Sequence, residues 1–177
     1  MYNTLYSFDF DDTLIHTMLP DPGVQIWEEK TKTPWPYKRG KVIGWWSKIE
    51  SLDISIFDTP KNEWVYKKYS EAKSDPSGYV ILATGRLDTV DGMRESVQKI
   101  LHHYEMEFDE IHLNWGGDTF KFKTTLFQNL ITKTGCRHFV MYDDREEHLP
   151  RFEEWAKNQL CKVTVVDVVN KTIKTFN

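Results

Sequence analysis

The segment Leu5-Tyr6-Ser7-Phe8-Asp9-Phe10-Asp11-Asp12-Thr13-Leu14 runs from a short apolar stretch into three carboxylates within four residues. Leu5 to Phe10 reads as a strand. Like charges crowded at a strand end repel and raise one another's pKa, and a bound divalent cation relieves that repulsion. Asp9 and Asp11 stand two residues apart, so a strand points both to one face. Carboxylates and carbonyls are hard oxygen ligands suited to Mg2+. A solvated acidic turn is the competing reading of these residues alone.

Downstream, further apolar runs read as strands: Tyr79 to Ala83, Glu110 to Leu113, His138 to Tyr142 and Lys162 to Val168. Near-continuous apolar runs suit strands buried on both faces. Helical spacing separates them, at Val90, Met93, Val97, Ile100, Leu101 and Tyr104. It returns at Phe122, Leu126, Leu130 and Ile131, and more loosely at Phe152, Trp155 and Leu160. This alternation predicts an α/β fold: a Rossmann-like, mostly parallel sheet with flanking helices. Lys171 to Phe176 adds a short antiparallel strand. Residues 15–77 interrupt the alternation and hold six of the seven prolines and five of the seven tryptophans. A structureless loop of that length is improbable. The stretch is expected to be a cap insertion, with 1–14 and 78–177 forming the core.

Two further strand ends carry candidate chemistry. Ala83-Thr84-Gly85-Arg86 offers a hydroxyl, a flexible residue and a guanidinium, a phosphate contact or ordinary turn chemistry. Tyr142-Asp143-Asp144-Arg145 brings a second acidic pair, which parallel strands would place beside the first. Lys121 and Lys123 open the helix after Asp118-Thr119. Either supplies a positive charge for a nucleophile and phosphate; Lys123 is the preferred candidate, and an amphipathic helix start is the alternative. His148 reads as capping or packing the last helix. Cys136 and Cys161 lack metal-ligand spacing and read as buried small hydrophobes.

Together these residues resemble the haloacid dehalogenase (HAD) superfamily of phosphohydrolases. Asp9-x-Asp11-x-Thr13 matches that family's first motif, Thr84 its second and Asp143-Asp144 its fourth. A finer resemblance is to the HAD domain of the Swiss Army Knife RNA-repair type. It rests on Thr119-x-x-Phe122-Lys123 with Phe127 and Leu130, on Tyr142-Asp143-Asp144-Arg145-x-x-His148-x-x-x-Phe152, and on Gly44-Trp45-Trp46 with Ser51-Leu52. Asp143 stands where that group usually has Glu. The segment is more distantly similar to the 3'-phosphatase domain of phage polynucleotide kinases, without a P-loop before it.

The resemblance implies that Asp9 attacks phosphorus to form an aspartyl-phosphate and that Asp11 is the general acid and base. Thr84 would bond a phosphoryl oxygen, and Lys123 would steady Asp9 and the phosphate. Asp9, the Asp11 carbonyl and Asp144 would hold Mg2+, with Asp143 supporting. Thr13, Gly85 and Arg86 are expected on the substrate side.

Lys30 to Lys48 holds six basic residues and no acidic one, interleaved with Trp35, Tyr37, Trp45 and Trp46. Basic and aromatic side chains together hold single-stranded nucleic acid, so Lys38, Arg39, Trp45 and Trp46 are candidate substrate contacts; the alternative makes these tryptophans the insert's own core. The expected substrate is a phosphorylated nucleic-acid end or nucleotide, with a small phosphometabolite as the alternative. A catalytically inactive binding module and a phosphotransferase are further readings.

The chain of 177 residues has 40% hydrophobic and 28% charged residues, which excludes a disordered or fibrous protein. A net charge of -4 argues against non-specific nucleic-acid binding by the whole surface. No apolar run nears the ~20 residues of a membrane span, and the N-terminus lacks signal-peptide features. A cytoplasmic setting, no membrane association and no obligate protein partner are the expectations.

Overall fold

A computed structural model describes residues 2–37 and 44–176. Six strands form one sheet: β1 (Thr4–Phe8), β2 (Gly78–Leu87), β3 (Glu110–Asn114), β4 (His138–Asp143), β5 (Lys162–Asp167) and β6 (Thr172–Phe176). Their order is β3-β2-β1-β4-β5-β6. The first five are parallel, and β6 pairs antiparallel with β5. The α/β expectation and the antiparallel last strand therefore hold.

Alternation along the strands builds two cores. Phe8, Val80, Leu82, Val140 and Tyr142 face one side. There they meet α2 (Glu63–Lys73) and α3 (Met93–His103) through Val65, Tyr69, Ala72, Val97 and Ile100. Leu5, Ile81, Ala83, Phe139 and Met141 face the other side, against α4 (Thr119–Thr134) and α5 (Leu149–Ala156). Burying residues on both faces is why these strands read as continuous apolar runs. α5 stops at Ala156, and Leu160, counted above in its apolar stripe, is fully exposed. Cys136 and Cys161 are free, buried thiols.

The chain leaves β1 for β2 and β3 on one side, then crosses to β4 and β5 on the other. The switch point therefore lies between β1 and β4, where open α/β sheets bind ligands beyond the strand C-termini. The registers Phe8↔Leu82 and Phe8↔Tyr142 bring the three candidate strand ends level.

The described residues of the 15–77 stretch are folded. α1 (Pro20–Thr31) is followed by 3-10 turns at Trp45–Ser47 and Ile49–Leu52, and then by α2. Trp45, Ile56 and Phe57 form a small core with Trp27, Trp35 and Met18 packed against it. α2 lies in the same stretch but packs on the sheet. Asn62 caps it, its side chain accepting from the Trp64 and Val65 amides.

Candidate active site

Asp9 follows the last residue of β1, and its amide donates to the Tyr142 carbonyl at 3.1 Å. That bond extends the β1–β4 pairing by one residue and fixes Asp9 beside Asp143. The chain then turns sharply, with Asp12 in the left-handed region at φ 50°. A non-glycine residue there marks a conformation that its surroundings impose. The turn swings Asp11 away from the β1–β4 line.

Lys123 comes from the first turns of α4, started by the Asp118 cap on the Lys121 amide. Its side chain is 1% exposed, and Nζ lies 2.8 Å from Asp9 Oδ2 and 2.6 Å from Asp143 Oδ2. Burial works against the ammonium charge, but Asp143 and Asp9 outweigh it and raise the Lys123 pKa. Lys121 has no such contact, so of the two lysines Lys123 is the one in the cluster. Asp9 Oδ1 accepts from the Phe10 amide at 2.8 Å, and Asp143 Oδ1 from the Arg145 amide at 3.1 Å.

Oxygens of Asp9, Asp143 and Asp144 lie within 4.8 Å of one another. Asp144 is steadied by the Thr13 hydroxyl at 3.0 Å. Burial, then the charges of Asp9 and Asp143, push the Asp144 carboxyl up to about 8. Burial lifts Asp9 to about 6, against the pull of Lys123. Three crowded carboxylates, with one lysine between two of them, suit a hard divalent cation that would relieve their repulsion.

The Asp11 side chain is placed differently. It is gripped by Arg86, with Nη2 at 2.7 Å from Oδ1 and Nε at 3.0 Å from Oδ2. The Thr17 hydroxyl adds a bond to Oδ1 at 2.8 Å. Arg86 is 1% exposed, and its Nη1 donates to Ser51 Oγ and the Trp46 carbonyl. Four of its five N–H groups are thus committed to Asp11 and the insert, in place of the phosphate contact read for it from sequence. A register shift between Thr84 and Leu87 in the β2–β3 pairing re-aims Arg86 towards Asp11. Thr84 is fully buried at the same strand end, its hydroxyl accepting from the Arg86 amide.

Gly85 leaves room that a side chain would fill. A Cβ there would lie 3.1 Å from Thr119 Cγ2 and 3.2 Å from Arg145 Nη2. Arg145 lies next to the acidic pair and was read above only as part of a resemblance. Its guanidinium makes no ion pair among the described residues. Burial weakens its charge, but Asp9, Asp143, Asp144 and Asp11 outweigh that and raise its pKa. It lines a cleft of about 650 Å³ with Asp11, Asp12, Asp144 and Trp46.

Trp45 is 5% exposed, with Nε1 donating to the Met18 carbonyl and its ring against Trp35 and Phe57. It is insert core, not a surface for a base. Trp46 is half-buried and reaches the cleft. Lys38 and Arg39 lie outside the described residues. His148 packs between Phe120 and Phe152 and makes no side-chain cap. Sequence reasoning missed Thr17, whose hydroxyl carries no distinctive spacing, and had Ser51 only as part of a resemblance.

The parallel sheet, its flanking helices and the switch point beside this carboxylate–lysine centre define a HAD-type, Rossmann-like scaffold. Residues 19–175 match the HAD domain family 1 in Swiss Army Knife RNA repair proteins, and the chain belongs to that family. The match begins after Asp9-x-Asp11-x-Thr13. A chain in the solved structure of a Pnkp1/Rnl/Hen1 complex is similar, at 19% identity and TM-score 0.54 over 94% of this chain. This chain covers 45% of that one, less than half its length. A predicted phosphoglycolate phosphatase from Haemophilus somnus 129pt shows 16% identity and TM-score 0.55, over 92% of this chain and 84% of that one. At these identities the likeness is one of fold. No curated protein matches the chain. No helix among the described residues is long and apolar enough to cross a membrane.

Proposed function

We propose that this protein is a Mg2+-dependent phosphomonoesterase that works through an aspartyl-phosphate and acts on a phosphorylated nucleic-acid end or nucleotide. The observation that carries the reading is the buried Lys123 between Asp9 and Asp143, beside Asp144. One carboxylate is held fixed by a cation, with a second cation site adjoining it.

In this reading an Asp9 oxygen attacks phosphorus, and the bond from phosphorus to the ester oxygen breaks. The leaving oxygen takes a proton from Asp11. Asp11 then takes a proton from water as that water attacks phosphorus, and the bond to Asp9 breaks. Free phosphate and the original carboxylate result. Lys123 and the Thr84 region offset charge on the phosphoryl oxygens, and Arg145 supplies a further cation from the cleft wall. Asp9 and Asp144 would hold Mg2+ with the Asp11 carbonyl, Asp143 supporting; the ion, when bound, offsets charge between carboxylate and phosphate. The Trp45–Leu52 part of the insert caps the cleft.

The nucleic-acid substrate is favoured by membership of an RNA-repair domain family and by the basic residues between Lys30 and Lys48, with Trp46 at the cleft. Phosphate release from 3'- and 5'-phosphorylated oligonucleotides, against small phosphomonoesters and at two salt concentrations, tests it. Oligonucleotide turnover should win and should weaken with salt, because bound phosphates release counterions. Preference for a small ester with no salt response would overturn the substrate class.

A further inference from the structure

Trp115 is exposed, alone among the seven tryptophans of the chain. It directly follows β3, which runs parallel to β2, so it stands at the sheet edge where the strand ends of the active site also lie. More than half of its surface, 56%, meets solvent. The loop that carries it is held from within. Asn114 is 1% exposed; its Oδ1 accepts from the Gly116 amide at 2.9 Å, and its Nδ2 donates to the Gly117 carbonyl at 3.3 Å. Gly116 and Gly117 take φ values of 124° and 83°, which a residue with a Cβ rarely adopts. The indole rests against the buried Phe122 ring, with centroids 4.7 Å apart and planes at 87°. A fixed backbone and one edge-on contact thus hold the ring in place and still leave it in water.

Its surroundings select what fits there. Lys123, next in the chain after Phe122, lies 2.8 Å from Asp9. A strand whose phosphate sat at Asp9 would pass close to the ring. Lys121 is exposed on the same turn of α4, and Arg151 is exposed with its guanidinium 3.9 Å over the Phe120 ring. No other exposed large apolar side chain belongs to this loop or to α4. A lone ring offers too little area for a protein partner, which buries about 800 Å² a side. A flat aromatic face with cations near it is the combination that stacks the bases of a single strand.

We propose that Trp115 is a substrate-binding residue that stacks an unpaired nucleobase close to the phosphorylated end of a strand. The inference rests on the nucleic-acid phosphomonoesterase reading and deepens it, because it asks for a single-stranded end. A base inside a duplex is already stacked on both faces and has none to offer the indole.

Abasic substitution tests this. A set of phosphorylated single-stranded oligonucleotides lacks the base at each of the first three positions from the phosphate in turn. With wild type, one of these abasic sites should raise KM by roughly 5- to 100-fold, the contribution of one stacked base, with kcat little changed. Trp115→Ala should raise KM for the intact strand by the same factor and lose nothing further at that abasic site. Trp115→Phe keeps a ring and should recover most of the affinity, together with the sensitivity to the missing base. A Trp115→Ala protein as sensitive as wild type to every abasic site would overturn the inference alone. An unchanged KM for the intact strand would do the same. Wild type that turns over small phosphomonoesters but not oligonucleotides would overturn the substrate class, and this inference with it.

Discussion

Lys123 reaches Asp9 from a different element and a different layer, Nζ to Oδ2 at 2.8 Å, with both side chains buried. Asp143 completes the bridge at 2.6 Å. Removing the cation leaves two buried carboxylates facing one another. Breaking a buried ion pair costs about 3–5 kcal/mol. Lys123→Met should lose stability of that order in urea unfolding with a chelator present. Mg2+ should restore part of it, and activity should fall by at least about 10²-fold. Unchanged stability in the chelated protein would contradict the bridge.

The acidic cluster sets how metal binding responds to pH. The folded-state pKa values of Asp9 and Asp144, about 6 and about 8, lie above that of a free aspartate. The folded state thus holds protons that the unfolded chain has released, so metal-free stability falls as pH rises from about 4 to about 8. A cation competes with those protons. The gain in Tm on adding Mg2+ should be larger at pH 8 than at pH 6 in thermal melts. An equal or reversed gain would remove Asp144 from the cation site.

Gly85 is a glycine for space. Alanine there meets Arg145 Nη2 and the Thr119 side chain at 3.1–3.2 Å. The end of an arginine can yield, so stability should change little. A guanidinium moved by about 1 Å at a reaction centre can cost up to about 10²-fold. Gly85→Ala should keep its Tm and lose at least about tenfold in kcat/KM. Wild-type turnover would show that Arg145 is idle.

In the insert, a Cβ on Gly23 would run into the Trp45 ring. Overpacking costs about 1–3 kcal/mol, and emptying the site with Trp45→Ala about 3–5 kcal/mol. Both variants should melt earlier than Trp46→Ala. A reversed order would place Trp46, not Trp45, in the core.

The strands were legible because burial on both faces leaves unbroken apolar runs, as in Tyr79 to Ala83 and His138 to Tyr142. The acidic strand ends were legible for the opposite reason: three charges in four residues need a cause. Arg86 was harder. Thr-Gly-Arg at a strand end reads naturally as a phosphate contact, and only the register shift in β2 and the folded insert show where the guanidinium goes. Ser51 and Thr17 act through single hydroxyls that composition cannot distinguish from surface serines and threonines. Trp45 and Trp46 read alike as candidate contacts or insert core; the Trp45 bond to the Met18 carbonyl places Trp45 in the core, while Trp46 lines the cleft.

The most direct measurement compares phosphate release by wild type and Asp9→Asn with Mg2+ on a phosphorylated oligonucleotide. The amide is nearly isosteric, so the variant should fold with the same circular dichroism and a similar Tm. It lacks the anionic oxygen that attacks phosphorus. The account predicts phosphate release by wild type and background release by Asp9→Asn. Substantial release by a folded Asp9→Asn protein would contradict the covalent mechanism at Asp9.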